Sequence, residues 1–408
     1  MKKVLLGTSA IALLGAAATP ASAAEWDLRW GGFMTQQFGF ASTDIDIANE
    51  EVDDDLADFD GVDVLSDAEI IFRPSITLDN GIQFGLQVQL EGNTSGDQID
   101  ESFLFVDGSF GRVLLGSENS AGYLMTVIAP TVSVNGHSSG SITSFVPYSG
   151  GITLADGTDV EVGDNVFRGT LGTTLLENVG SANNDSQRLT YFTPRFFGLQ
   201  GGFSYARDFE QDDSAQVNLA GAYGDIIDIG LNYTNSFGGI DVAASGRWGI
   251  VATTPDDDDP TTINQDETES PMVYGFGLNV GFAGVTVGGS FAEQNNAPGE
   301  DGTSWDVGIA YETGPWGFSF SYFNGENQDN EFLTSADPVL ASATEEVDLF
   351  VVGVNYALAQ GVDLNLFGAY VDFDEEFTST DIGTISAGDP GGDDVDGFVV
   401  AGAIALSF

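Results

Sequence analysis

The sequence predicts an all-β protein, a transmembrane antiparallel β-barrel of about 16 strands with short turns at one end and long loops at the other. Apolar residues alternate with polar or small ones, as in GIQFGLQVQLEG at residues 81–92, which is the period of a strand with one apolar face. Short glycine-containing turns alternate along the chain with long polar segments. Beyond residue 23 no stretch is apolar for long enough to form a spanning helix.

The first 23 residues predict a cleaved secretory signal peptide. Lys2 and Lys3 precede a short apolar run, which is followed by Ala21, Ser22 and Ala23 in an A-x-A cleavage pattern. A membrane anchor is the alternative, and the shortness of the apolar run argues against it. We therefore expect residues 24–408 to form one exported barrel domain.

The alternation predicts sixteen strands. Their expected starts lie near residues 25, 65, 81, 99, 110, 187, 199, 225, 240, 271, 284, 303, 316, 345, 361 and 395. Residues 216–224 (QVNLAGAYG) are assigned to a loop, because a strand there would invert the side of the acidic loop that follows Ile250. In lipid every backbone polar group must pair within the protein, so we expect the sheet to close with its apolar faces outward. Polar inner side chains cannot fill so wide a barrel, which predicts a water-filled channel.

The charge balance limits the possible partners. The chain has 63 acidic residues against 10 basic ones, a formal net charge of −53, and both lysines lie in the predicted signal peptide. Such a surface repels phosphates, so no nucleic-acid partner is expected. It should attract cations to a channel mouth, and salt should weaken this preference because the screening length is about 8 Å at physiological ionic strength. The absence of cysteine excludes thiol catalysis, disulfides and cysteine-ligated zinc.

A family resemblance appears at residues 188–208 (RLTYFTPRFFGLQGGFSYARD). This strand–turn–strand pattern resembles the general porins of Gram-negative bacteria, especially those of alphaproteobacteria. The matching residues are Tyr191, Thr193, Pro194, Arg195, Gly198, Leu199, Gln200, Ser204 and Tyr205. Residues 110–120 (FGRVLLGSENS) are similar to the strand that leads into the family's constriction loop, and the terminal Phe408 is similar to its barrel-assembly signal. The resemblance implies a homotrimer in the outer membrane, surrounded by lipid, in which each barrel has its own pore and a third loop lies in the lumen.

The connection at residues 117–187 is the longest in the chain and is predicted to fold into the lumen. It is less charged than the other long segments, and residues 123–134 (YLMTVIAPTVSV) are too apolar to remain in water. Long connections inside compact folds are usually functional. The alternatives are that this apolar piece covers the outer end of the barrel or packs in a trimer interface.

Arginines are scarce, so their positions indicate where a channel would be positively charged. Alternation assigns Arg188 and Arg207 to a rim and places on the inner faces Arg29, Arg73, Arg112, Arg195 and Arg247. We expect Arg73, Arg112 and Arg195 to form a basic patch that faces loop carboxylates across the water. The predicted channel-lining set is Arg73, Arg112, Arg195, Arg247, Glu118, Asp156, Asp159, Glu161 and Asp164. Alternatively, the arginines pair with wall carboxylates such as Asp67, Glu69 and Asp107 and do not shape the passage.

Two acidic loops offer oxygen ligands of the kind that Ca²⁺ prefers. The candidate ligands are Asp53, Asp54, Asp55, Asp256, Asp257 and Asp258. Neither loop has the ligand spacing of an EF-hand, and a solvated, self-repelling loop is the alternative. Apart from such weak Ca²⁺ binding, no cofactor is expected.

Together these features predict passive diffusion of small hydrophilic solutes and ions, with a mild cation preference. A sugar-specific or anion-specific channel of the same fold is the first alternative, although few aromatic residues have inward parity. A hydrolase would need a general base, and the single histidine, His137, lies in a loop beside Ser138 and Ser139. An adhesive barrel is the third class. We expect no enzymatic activity.

Overall fold

The structure is a computed structural model, and it describes most of the chain. The described residues are 25–46, 58–93, 98–135, 142–148, 150–153, 159–162, 186–209, 211, 219, 223–254, 270–297, 300–330, 341–379 and 391–408. Among them the strands are β1 (Trp30–Asp46), β2 (Gly61–Phe72), β3 (Ser75–Thr77), β4 (Gln83–Glu91), β5 (Ile99–Gly108), β6 (Gly111–Ser117), β7 (Gly150–Thr153), β8 (Asp159–Val162), β9 (Gln187–Phe192), β10 (Leu199–Ala206), β11 (Gly224–Phe237), β12 (Ile240–Thr253), β13 (Met272–Phe282), β14 (Val285–Ala297), β15 (Glu300–Thr313), β16 (Trp316–Asn330), β17 (Ala341–Ala359), β18 (Val362–Ser379) and β19 (Gly391–Ser407). The same residues include one short helix, α1 (Ala121–Leu124).

The strands close into an antiparallel barrel. β1 pairs with both β2 and β19, so the sheet joins its own first strand. β2 and β3 form one barrel strand, because both pair with β4 and only Arg73 and Pro74 separate them. Proline has no N–H to donate to the ladder, which explains the interruption. β7 and β8 form a separate hairpin, so the barrel has sixteen strands and the predicted fold class is confirmed.

The outward faces of the strands are apolar around the barrel. In β4 the side chains of Phe84, Leu86 and Leu90 are exposed, and in β13 Phe276 is 62% exposed. So many exposed large apolar side chains suit hydrocarbon rather than water, so the outward faces contact lipid. In the described part of the chain, no helix has the length and hydrophobicity that a membrane crossing needs.

Short turns join the strands at one end of the barrel. Gly238 and Gly239, between β11 and β12, have φ angles of 60° and 87°, and Gly361, between β17 and β18, has a φ of 72°. Glycine adopts these left-handed conformations without a Cβ clash, so the chain reverses within a few residues. The strand ends that the long connections join therefore lie at the opposite end of the barrel.

The inner wall is only partly polar, which corrects the expectation of polar inner faces throughout. The inward side chains of β17–β19 include a buried apolar set, namely Val347, Leu349, Val351, Phe367, Val371, Phe373, Val395 and Val399. They pack with Ile142, Phe145, Val146 and Tyr148 of the long connection. A strand that is buried on both faces reads as a continuous apolar run, so alternation alone does not reveal which protein segment covers it.

Candidate functional site

Residues 118–135, here called the luminal segment, lie against the inner wall of the barrel. After β6 the chain enters α1, which contacts β9, β10, β11 and β12. Ser120 caps the helix, because its Oγ accepts the N–H of Tyr123 at 3.3 Å. The N–H of Ala121 donates to Ser204 Oγ on β10 at 3.1 Å. The first turn of the segment is therefore held by its own cap and by the wall.

A buried ion pair lies where the segment crosses β11 and β12. Asp228 Oδ1 accepts the N–H of Gly122 at 2.7 Å, and Arg247 Nη2 lies 3.3 Å from Asp228 Oδ2. Both charged side chains are almost fully buried, with exposures of 3% for Arg247 and 2% for Asp228. Alternation predicts Arg247 as a channel-lining residue. The structure places its side chain on the inner face but against Gly122 of the luminal segment.

Polar side chains of the wall bind backbone groups at several points along the segment. Wall acceptors take three N–H groups: Val127 donates to Ser245 Oγ (2.8 Å), Ala129 to Asp306 Oδ1 (2.9 Å) and Val132 to Ser319 Oγ (3.0 Å). Wall amides donate to two carbonyls: Asn232 to Met125 (3.0 Å) and Asn279 to Ile128 (2.9 Å). At the far end, Asn135 donates to Gln37 on β1 at 3.0 Å. Buried backbone groups need such partners, so these contacts define a route around the lumen from β10 to β1.

Residues 142–148 cover another part of the inner wall. The ring of Phe145 meets Phe367 of β18 edge-on, with ring centroids 6.3 Å apart. Gly39 of β1 and Gly397 of β19 leave room for this piece, because a Cβ at Gly39 would lie 2.8 Å from Phe145 and one at Gly397 would lie 2.5 Å from Val146. This side of the wall therefore contacts protein rather than water.

Arg73 and Arg112 lie together on the inner wall. The Cζ atom of each lies 5.1 Å from the ring centroid of Phe105, where the negative π face of the ring attracts both guanidinium groups. Arg112 Nε also lies 3.6 Å from Asp107 Oδ1. The two arginines lie together on one ring, as expected for a basic patch. Arg112 also has the wall carboxylate of Asp107 beside it, as in the alternative that the arginines pair within the wall.

Arg195 is not part of this pair. It is exposed in the turn after β9, where its guanidinium donates to Gly198 O at 2.6 Å and to Gln200 Oε1 and Asn232 Oδ1 at 2.9 Å each. Alternation cannot be extended to Arg195, because β9 ends at Phe192 and Pro194 interrupts the strand. The structure therefore assigns Arg195 to the turn.

Arg188 lies on the inner face, which corrects its assignment to a rim. In β9 the residues Arg188, Thr190 and Phe192 are buried, whereas Leu189 and Tyr191 are exposed. The two arginines at 188 and 195 have opposite parity in the sequence, but the break after β9 separates them, so the position of one does not predict that of the other.

Glu118 begins the luminal segment and is 7% exposed. Its Oε1 accepts the N–H of Asn119 at 2.9 Å. Burial raises the pKa of the Glu118 carboxyl, and the hydrogen bonds from Asn119 and the positive charge of Arg188 oppose this shift. Glu118 is thus a channel-side carboxylate with an arginine nearby, although the sequence placed Arg188 elsewhere.

The remaining predicted residues lie in the small hairpin, at the end of the last strand or outside the described ranges. Asp159 and Glu161 lie in β8 of the small hairpin, and only their backbone is described. Outside the described residues lie the predicted signal peptide, His137, Asp156, Asp164, Asp53, Asp54, Asp55, Asp256, Asp257 and Asp258. Phe408 exchanges two backbone hydrogen bonds with Gly32, at 3.1 and 3.2 Å. Its role in assembly stays a prediction.

Three carboxylates that the sequence did not bring together lie close to one another on the part of the wall formed by β2 to β5. Oxygen atoms of Glu69, Asp100 and Glu101 lie within 4.8 Å of one another, close enough for one cation to bind all three. These residues come from two strands that are not consecutive in the sheet, so their proximity depends on the tertiary fold and not on a sequence motif.

Comparisons with known proteins agree with this architecture. The sequence matches the family described as Gram-negative porin over residues 8–376, and it matches no curated protein. An anion-selective porin from Comamonas acidovorans is similar in structure, with a TM-score of 0.55 and 15% identity over 94% of this chain and 100% of that one. The outer membrane channel DcaP of Acinetobacter baumannii has a TM-score of 0.55 and 12% identity over 96% and 100% of the two chains.

The trimer form of OmpT, an outer membrane protein of Vibrio cholerae, has a TM-score of 0.54 and 12% identity over 94% of this chain and 99% of that one. At such identities the structural likeness supports the barrel fold, whereas the family match extends over most of the sequence. The chain therefore belongs to the Gram-negative porin family and is an outer-membrane channel protein.

Proposed function

We propose that the channel allows small hydrophilic solutes and ions to diffuse passively, with a mild preference for cations, and that the connection at residues 117–187 constricts it. The observation that carries this proposal is the luminal segment, which is hydrogen-bonded to the inner wall from β10 to β1, through its backbone at residues 121–132 and through the Asn135 side chain at β1. A barrel of 16 strands has an aqueous interior, and a segment along its wall narrows that interior without closing it.

The net charge supports the cation preference. A chain with a formal charge of −53 raises the local concentration of cations at the channel mouth. Inside, Arg73 and Arg112 stand on one side of the wall, and the carboxylates predicted to face them are Glu118, Asp156, Asp159, Glu161 and Asp164. Opposed charges across water produce a transverse field, which favours dipolar solutes over apolar ones.

The second candidate is an anion-specific channel of the same fold. The two guanidinium groups on Phe105 favour this alternative, because Arg binds carboxylates and phosphates well. One structurally similar protein is an anion-selective porin. The sign of the ion selectivity distinguishes the two candidates.

The proposed assembly is a homotrimer in which each chain has its own pore and lipid covers the remaining outward surface. A trimer form is known for the similar protein OmpT of V. cholerae. We further propose that residues 1–23 are a cleaved signal peptide, that the acidic loops bind Ca²⁺ weakly, and that the chain has no catalytic activity. A single-channel recording that closes in three equal steps would support three pores, and loss of a hydrolytic activity in His137→Ala would contradict the last proposal.

The deciding experiment is reversal-potential measurement in a planar bilayer under a KCl gradient, at low and at high ionic strength. We expect a cation-selective potential at low salt that decreases at high salt, because screening shortens the range of the net charge. An anion-selective potential at low salt would favour the second candidate. A membrane that conducts no ions after insertion of the protein would contradict both.

A further inference from the structure

Glycines occupy inward positions at the places where the luminal segment crosses the wall. These positions follow the segment over successive parts of the barrel and are Gly230 on β11, Gly277 on β13, Gly308 on β15, Gly317 on β16 and Gly353 on β17. We call this set the glycine track. Each of its members would place a Cβ against an atom of the luminal segment.

The closest of these approaches involve backbone atoms, which cannot rotate away. A Cβ at Gly277 would lie 1.7 Å from the carbonyl oxygen of Val127, and one at Gly230 would lie 2.7 Å from that of Ala121. Because Cβ atoms essentially never come nearer than 3.0 Å to such neighbours, a side chain at Gly277 requires the segment to move away by about 1.3 Å.

The track is combined with serines that bind the same peptides. Ser245 on β12 is directly opposite Gly277 on β13, and Ser319 on β16 is directly opposite Gly353 on β17. In the first pair the serine accepts the N–H of Val127, while the glycine leaves room for the carbonyl of the same residue. In the second pair Ser319 accepts the N–H of residue 132, and a Cβ at Gly353 would lie 2.9 Å from the N atom of residue 133.

We propose that the glycine track, together with these opposite serines, holds the luminal segment flat against the wall and thereby determines the free cross-section of the channel. The inference rests on the proposed function of a diffusion channel and assigns its size limit to named wall positions. A side chain on the track displaces the segment toward the centre of the lumen, because the rigid sheet behind the segment cannot move outward.

The test compares Gly277→Ala with Gly281→Ala on the same strand. Gly281 also lies inside the barrel, but its Cβ would meet only wall atoms, at 3.3 Å from Thr286 Oγ1 and 3.4 Å from Asp241 Cβ. Single-channel conductance in KCl and exclusion of neutral polyethylene glycols of graded size are measured for the wild type and both variants. Folding is checked by heat-modifiable electrophoretic mobility.

We expect Gly277→Ala to lose conductance and to exclude smaller polymers, whereas Gly281→Ala keeps both wild-type values. A folded Gly277→Ala protein with unchanged or increased conductance would overturn the proposal. If Gly277→Ala does not fold, Gly353→Ala is measured in the same way, because its Cβ would lie 2.9 Å from the segment rather than 1.7 Å. A folded Gly353→Ala protein with unchanged or increased conductance would then overturn the proposal. A wild-type protein that does not conduct would instead contradict the proposed function, so the two failures are distinguishable.

Discussion

Replacing Asp228 with alanine should destabilise the barrel more than the loss of an ordinary hydrogen bond. The Asp228 carboxylate is buried, accepts the N–H of Gly122 at 2.7 Å and lies 3.3 Å from Arg247 Nη2. Removal of one member of a buried ion pair costs about 3–5 kcal/mol, because the remaining charge loses an opposite charge in a poorly solvated place. The cost of losing the acceptor for the Gly122 N–H is included in this range, because the costs of contacts that share one side chain do not simply add. We therefore expect the free energy of unfolding to fall by about 4 kcal/mol.

The assay is reversible urea unfolding in lipid vesicles, followed by tryptophan fluorescence. Asp241→Ala is the matched control, because Asp241 is exposed and bonded to Ser236 near a turn, so its loss should change the free energy by about 0.5 kcal/mol or less. Adding Arg247→Met to Asp228→Ala should recover part of the stability, since it removes the buried charge. A decrease of less than about 1 kcal/mol for Asp228→Ala would refute the reasoning.

Three further predictions concern individual side chains. Arg112→Ala should shift the reversal potential toward cations at low salt, whereas Arg195→Ala, which removes an exposed guanidinium bonded within the turn and to Asn232, should shift it less; equal shifts would contradict the placement of the patch. Burial raises the pKa of Glu118 above its ordinary value of 4.5, so its ionised form is disfavoured in the folded state and its contribution to stability declines as the pH rises through the raised pKa. Glu118→Gln should therefore increase resistance to urea at pH 8 and leave it unchanged at pH 4, and a gain of equal size at both pH values would contradict this. Ser319→Ala should cost about 1 kcal/mol more than Ser321→Ala in urea unfolding, because Ser319 accepts a luminal N–H and the buried Ser321 hydroxyl has no hydrogen-bond partner among the described residues; equal costs would refute the importance of that contact.

The strands were predictable because lipid imposes a simple rule on the sequence. A residue that faces lipid is apolar whatever protein residues surround it. The period of two in residues 81–92 therefore predicts the apolar outer face of β4 directly. Interruptions limit this rule. Arg188 follows the alternation within β9 and lies inside, but the alternation does not extend across the end of β9, so it does not place Arg195, which lies in the turn.

The contacts of the luminal segment could not be predicted in the same way, because they join residues that are distant in sequence. Val127 and Ser245 are 118 positions apart, and Ala129 and Asp306 are 177 apart. No local pattern specifies such a pair. The inward glycines nevertheless indicate that something packs against the wall. Where several strands have glycine on the inner face, there is room for another piece of backbone.

The inner wall has two levels with different chemistry, and β13 shows both. At Gly277 the strand itself has no side chain, and there the wall contacts the luminal segment. Toward the turn, Asn279 donates to the carbonyl of Ile128 and also borders a cavity. The polar residues that line this cavity include Thr234, Ser236, Asp241 and Thr286. A wall position without a side chain leaves room for peptide, and polar side chains around a cavity can hold water, so β13 changes along its length from a surface that seats the luminal segment to one that borders the cavity.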